Sequence, residues 1–236
     1  MNTFFPLLAS TDVFFVWQKA PIEGRVILVI LTIFSIFAWS VMVSKGLQMS
    51  RAKRLNGFFD AEFRSQKGVM GIHDRKVQVE GCPLFTVYQE GCTELEARLK
   101  LKDGEGRKKW VTLKAMEHIK RTLEGAVSRE ALKLESGLIL LAIAVSGAPF
   151  LGLLGTVWGV MITFADVASK GSADLLVMAP GVSAALITTV AGLLVAIPSM
   201  FAYNWLVHTL RVLTVELDNF AQELVSRMET EYLQDE

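Results

Sequence analysis

Three stretches of this chain contain no Asp, Glu, Lys or Arg: Val26 to Ser44, Gly137 to Phe164 and Leu175 to Val207. Each is long enough to cross the roughly 30 Å of hydrocarbon in a bilayer. In that medium backbone N–H and C=O groups find no water, so a lone apolar segment must pair them within itself, as a helix. The three runs therefore commit the chain to an all-α membrane fold with three spans. Hydrophobic residues make up 52% of the 236 positions, more than an ordinary soluble domain of this size carries. The first run is not read as a cleaved leader, because the basic residues Lys45, Arg51, Lys53 and Arg54 follow it and no small-residue cleavage site is present.

The formal charge of zero conceals an asymmetry, since 19 of the 24 Lys and Arg fall between Lys45 and Lys133. Basic loops stay on the cytoplasmic side, so that segment faces inward, with the N-terminus outside and the C-terminus inside. The chain then divides into an outer interfacial segment (1–25), a first span (26–44), a cytoplasmic helical domain (45–136), a second span (137–164), an outer loop (165–174), a third span (175–207) and a cytoplasmic C-terminal helix (208–236). Phe4, Phe5, Phe14, Phe15 and Trp17 suit the first of these to the membrane interface. Cys82 and Cys92 lie on the reducing side, outside any CxxC spacing, and read as ordinary thiols.

Two long helical extensions are expected on the inner side. Leu113, Met116, Ile119, Leu123, Val127, Leu134 and Leu138 recur at largely helical spacing and run without a proline into the second span, which predicts one continuous helix. Beyond the third span Leu206, Leu210, Leu213, Leu217, Phe220 and Leu224 alternate steps of four and three. The two stripes can pack on each other or on a neighbouring subunit. "KDGEGRKK", 102–109, is a loop.

Energy sources and enzymatic chemistry leave little trace. No GxxxxGK[ST] occurs, and "GLLGTVWGV" lacks both the lysine and the strand-to-helix setting of a phosphate loop. His73, His118 and His208 are isolated, with no HExxH and no Cys/His cluster, so no metal and no cofactor are assigned. No nucleophile, base and orienting group share a motif, and the chain is not read as an enzyme.

What the spans do contain is glycine and hydroxyl. Gly152, Gly155 and Gly159 follow one side of a helix, and Gly181, Ala185, Thr188, Gly192 and Ala196 form a similar row in the third span. Small residues let membrane helices approach closely, where lipid supplies no hydrophobic drive between them. Thr156 and Thr189 both sit near mid-depth of spans that cross antiparallel, so their hydroxyls can face one polar path together with Thr188 and Ser183. A threonine orients water or a carboxylate but does not titrate near neutral pH. Any proton-accepting acid must therefore come from another chain.

The segments "LESGLILLAIAVSGAPFLGLLGTVWGVMITF", from Leu134, and "APGVSAALITTVAGLLVAIPSMFAYN", from Ala179, resemble the ExbB/TolQ/MotA group of proton-channel subunits, nearer to ExbB and TolQ. The resemblance implies a ring-forming homo-oligomer, a pentamer, in the bacterial inner membrane, with the outer side the periplasm. It also implies a dimer of an ExbD-like or TolR-like single-span partner bearing a membrane Asp. Proton flow would pass force to a TonB-like or TolA-like protein for outer-membrane transport or envelope integrity. Thr156 and Thr189 match the family's pore threonines. Ala184 stands where ExbB and TolQ usually carry Glu, which agrees with charge-free spans and leaves the acid to the partner. A non-conducting membrane scaffold and a MotA-like motility stator are the rival readings.

Overall fold

The computed structural model describes residues 22–100, 110–170 and 175–233. Residues 1–21 of the N-terminal interfacial segment and the 102–109 loop lie outside them, while residues 22–25 open the first helix. Five α-helices follow in chain order: α1, Ile22–Ser65; α2, Pro83–Leu99; α3, Leu113–Glu135; α4, Leu138–Lys170; and α5, Leu175–Tyr232. A 3₁₀ turn, Val69–Gly71, lies between α1 and α2. The β-pairing among the described residues is an isolated bridge between Val111 and Leu233, so their regular structure is helical, as the patterning of the spans requires. Three of the helices are long and apolar enough to cross a membrane: α1, α4 and α5.

The described residues fall into two compact units, one drawn from Met1–Val43 and Gly137–Asn204, the other from Ser44–Ser136 and Trp205–Glu236. In the first unit Ile27 and Leu31 of α1 close on Ala148 of α4 and Ala196 of α5, with Leu151, Ala191 and Val195 packed around them. Its outer surface is apolar, with Ile36, Phe37, Phe150, Leu194 and Phe201 exposed. Such a surface would be a liability in water and is the expected one in lipid. Pro149 interrupts the hydrogen-bond ladder of α4, and Pro180 and Pro198 that of α5. Hydroxyls beside two of them bond back to the helix, Ser146 to the Ala142 carbonyl at 3.0 Å and Ser199 to the Val195 carbonyl at 2.7 Å.

The second unit has a core of large side chains. Phe59, Phe63, Phe85, Tyr88 and Phe220 form one aromatic cluster; Phe63 and Phe220 meet edge to face with centroids 5.1 Å apart. Around it lie Leu95, Met116, Ile119, Leu123, Leu217, Leu224 and Met228. The stripes of α3 and of the second half of α5 thus share one core within the chain, and Gly91 of α2 makes room for the end of Leu123. Leu113, at the first turn of α3, is exposed instead. The helix ends are built from nearby polar groups. Thr112 caps α3 by accepting the Ala115 N–H at 3.3 Å, and the buried Asn56 carbonyl takes the Leu84 N–H at the start of α2 at 3.3 Å.

The expected continuous helix from Leu113 into the second span is broken. α3 ends at Glu135 and α4 begins at Leu138, with Gly137 at φ 84° in the left-handed region. A glycine adopts that conformation without the Cβ clash that other residues suffer, so it ends one helix and starts the next. The freed carbonyls find a cation: Lys45 Nζ donates to the Lys133 and Leu134 carbonyls at 3.3 and 3.4 Å and to Ser136 Oγ at 3.2 Å. A lysine at a helix C-terminus also complements the helix dipole.

Candidate functional site

α4 and α5 pack along their small residues, and the pairings give their direction. Ala148 faces Gly192, Gly152 faces Thr188 and Thr189, Gly159 faces Ala185, and Thr163 faces Gly181. As the number rises on one helix it falls on the other, so the two are antiparallel. A methyl group placed on Gly152 would come within 2.8 Å of the Thr188 carbonyl oxygen, and one on Gly155 within 2.7 Å of Thr188 Cβ. On Gly159 it would lie 2.7 Å from Ala185 Cβ, and on Gly192 it would press on the Ala148 carbonyl. Helix backbones this near leave space for hydrogen only.

That approach brings three hydroxyls onto two backbone oxygens. The Gly152 carbonyl is reached by Thr188 Oγ1 at 3.0 Å, Thr189 Oγ1 at 3.1 Å and Thr156 Oγ1 at 3.2 Å. The Ala185 carbonyl is reached by Thr188 Oγ1 at 2.7 Å and Thr156 Oγ1 at 3.3 Å. Thr156 and Thr189 also hydrogen-bond to each other across the helix pair. Both are half-buried, whereas Thr188 is 1% exposed, inside the pair. Ser183 is exposed on α5. Ala184 is 2% exposed, so a carboxylate at that position would start from a buried Cβ. Thr163, a further hydroxyl on the same face of α4, is buried and returns its proton to the Gly159 carbonyl at 2.8 Å.

The structure therefore groups Thr156, Thr188 and Thr189 into one cluster and leaves Ser183 outside it. The spacing offers each threonine the carbonyl four residues back, Gly152 for Thr156 and Ala185 for Thr189, but gives no sign that hydroxyls of the facing helix reach the same two oxygens. Nothing in the cluster titrates near neutral pH; it can hold or orient a proton carrier and cannot itself be one.

Among the described residues no three His, Cys, Asp or Glu are close enough together to hold a metal ion. His73 Nε2 lies 3.3 Å from Glu96 Oε2 in the second unit. Cys82 and Cys92 are free and buried, and burial pushes the Cys92 thiol up to about 12, far from a reactive thiolate.

Residues 92–219 match the MotA/TolQ/ExbB proton channel family, a segment that contains every residue of the hydroxyl cluster and the glycine rows. The chain belongs to this family. It is 32% identical over 216 residues to the Tol-Pal system protein TolQ of Haemophilus influenzae, covering 88% of this chain and 90% of that one. It is 28% identical over 204 residues to the biopolymer transport protein ExbB of Neisseria meningitidis, 86% of this chain and 90% of the relative. The ExbB of Pseudomonas putida is 30% identical over 188 residues, which is 80% of this chain but spans only about half, 54%, of that relative. Membership in the MotA/TolQ/ExbB family makes the chain a component of a membrane proton-channel system, not an enzyme. With α1, α4 and α5 it is a multi-pass membrane protein.

Proposed function

We propose that the chain is the channel and stator subunit of an ExbB-like or TolQ-like motor in the bacterial inner membrane, driven by the proton motive force. One observation carries this reading: at the crossing of two charge-free helices, inside the family match, two half-buried threonine hydroxyls pair across the interface. A polar pair in a segment without Asp, Glu, Lys or Arg has little structural reason to remain half-exposed, because hydroxyl bonds between membrane helices average only about 0.6 kcal/mol. It suits a path along which a carboxylate on another chain takes up and gives off protons.

In this reading five copies form a ring around a dimer of an ExbD-like or TolR-like single-span protein, whose membrane Asp meets Thr156 and Thr189. Ser183, exposed on α5, adds a hydroxyl to the path beyond that pair, and Thr188 stands behind the pair, inside the helix contact. The glycines of the two rows hold α4 and α5 at the distance that aligns the hydroxyls. Work is passed to a TonB-like or TolA-like protein for transport across, or integrity of, the outer envelope. The concentration of basic residues in 45–133 supports a cytoplasmic location for that segment and for the C-terminal helix, with the N-terminus and the 165–174 connection in the periplasm.

The test is proton flux into vesicles containing the complex as extracted from its host membrane. Thr189→Val keeps the shape and removes the hydroxyl. Losing a hydrogen bond to a charged group costs about 1.5–3 kcal/mol, so flux falls by about tenfold or more while assembly is retained. Unchanged flux in this variant, or a native complex that contains no chain with a membrane carboxyl group, would sink the proposal in favour of a non-conducting scaffold.

A further inference from the structure

The hydroxyl cluster can be taken further by counting its protons. Thr156, Thr188 and Thr189 each have one hydroxyl proton to donate, and the backbone oxygens within reach are those of Gly152 and Ala185. Each of these carbonyls already accepts the N–H four residues on in its own helix, which leaves one good lone pair apiece. Thr188 is 1% exposed and lies against Gly155, so its hydroxyl has no access to solvent and must take one of the two. Whichever it takes, a single carbonyl remains for Thr156 and Thr189 together. One proton of that pair therefore has no backbone acceptor. It goes to the other hydroxyl or outward.

We propose that Thr188 is a positioning residue: by occupying one carbonyl it keeps one proton of the half-buried Thr156–Thr189 pair available to an acceptor outside the helix pair. The inference rests on the channel reading above, in which that acceptor is the partner's carboxylate. Thr188 itself never touches the acceptor. Remove its hydroxyl and the count changes, because Thr156 can now settle on the Ala185 oxygen and Thr189 on the Gly152 oxygen. Both protons then point inward. The carboxylate loses a donor, and since hydrogen bonds to the charged form favour ionisation, it holds its own proton to higher pH.

Thr188 also fills the space that Gly155 leaves, so a purely packing role must be separated from the proposed one. The experiment uses the intact complex with its partner in vesicles and measures proton flux across a pH series for the wild type, Thr188→Ser, Thr188→Ala and Thr188→Val. Serine and alanine both lose the γ-methyl and differ in the hydroxyl, whereas valine keeps the shape. Serine is expected to stay within about twofold of wild type with the same pH midpoint. Alanine and valine are expected to lose flux by about threefold or more and to move the midpoint upward by about half a unit or more. If valine fails to assemble, the serine and alanine pair decides. Equal midpoints for serine and alanine, or equal impairment of both, would overturn the proposal and leave packing as the role. A wild-type complex that conducts no protons at any pH strikes the channel reading instead, so the two failures are distinguishable.

Discussion

The two units of this protein solve the same problem, holding helices together, with opposite materials. In the unit built on the second half of α1, α2, α3 and the second half of α5, glycine makes room for a side chain: Gly91 admits Leu123, and the core is filled by Phe59, Phe63, Tyr88 and Phe220. In the apolar unit glycine makes room for a backbone, with Gly152 and Gly192 set against facing main-chain atoms of the other helix. The difference follows from the solvent. In water, burial of large apolar side chains drives association, at roughly 25 cal/mol per Å². In lipid that drive between helices is absent, and what remains is dispersion at close approach together with hydroxyl-to-carbonyl bonds. Close approach in turn exposes backbone oxygens to side chains of the neighbouring helix, which is how three threonines come to share two carbonyls.

The comparison predicts different responses to substitution. The largest loss is expected where a big side chain leaves a full core: Phe63→Ala, buried against the rings of Phe59, Tyr88 and Phe220 and stacked under Arg227, costs about 3–5 kcal/mol. Denaturant unfolding of the solubilised protein, followed by protease sensitivity of the water-exposed unit, reads it. A loss below about 1 kcal/mol would mean that this core is not close-packed. In the apolar unit the sign reverses, and adding volume does the harm. Gly155→Leu places a side chain where even a methyl would meet Thr188, and overpacking of this kind costs about 1–3 kcal/mol. Its signature is a changed cross-linking pattern between cysteines introduced on α4 and α5, while the aromatic unit keeps its protease resistance.

The smallest effect separates the units by pH. Burial raises the Cys92 thiol from an ordinary value near 9 to about 12, and it raises the Tyr88 phenol as well. A group that keeps its proton in the folded state contributes stability that is fully present below its unfolded pKa and is lost as pH rises from there through the folded value. The aromatic unit should therefore weaken between about pH 9 and pH 12. The charge-free spans contain no thiol and should retain helicity by circular dichroism over the same range. Cys92 should also resist alkylation at mildly alkaline pH until denaturant is added. Rapid labelling of the native protein would contradict the burial.

Much of this was legible in the sequence for physical reasons that can be named. Span positions follow from the absence of charge, and the stripes of α3 and α5 from spacing, because both are properties of side chains along one helix. The break at Gly137 was not legible. A glycine at the head of an apolar run reads the same whether it continues a helix or turns out of it, and the choice depends on Lys45, distant in sequence, covering the freed carbonyls. The aromatic cluster also escaped: Phe59 and Phe63 stand four apart and Phe85 and Tyr88 three apart, at ordinary helical spacing, but which helices bring those rings together is decided only in three dimensions. At the candidate site the threonines were visible singly and as a group, and so were the carbonyls four residues back, but not the sharing of those carbonyls across the helix pair.

The contact between Phe63 and Phe220 has a consequence for how the protein is made. These rings are 157 positions apart, so the aromatic unit lacks a wall of its core until the chain has been synthesised past α4 and most of α5. Its first half emerges from the ribosome early and must wait with apolar surface uncovered, a condition that favours chaperone binding and, on delay, aggregation. Completion of the unit thus reports that the later helices have been delivered. A chain stalled or truncated before Phe220 carries an open core, and apolar surface left uncovered in this way is what chaperones and proteases act on.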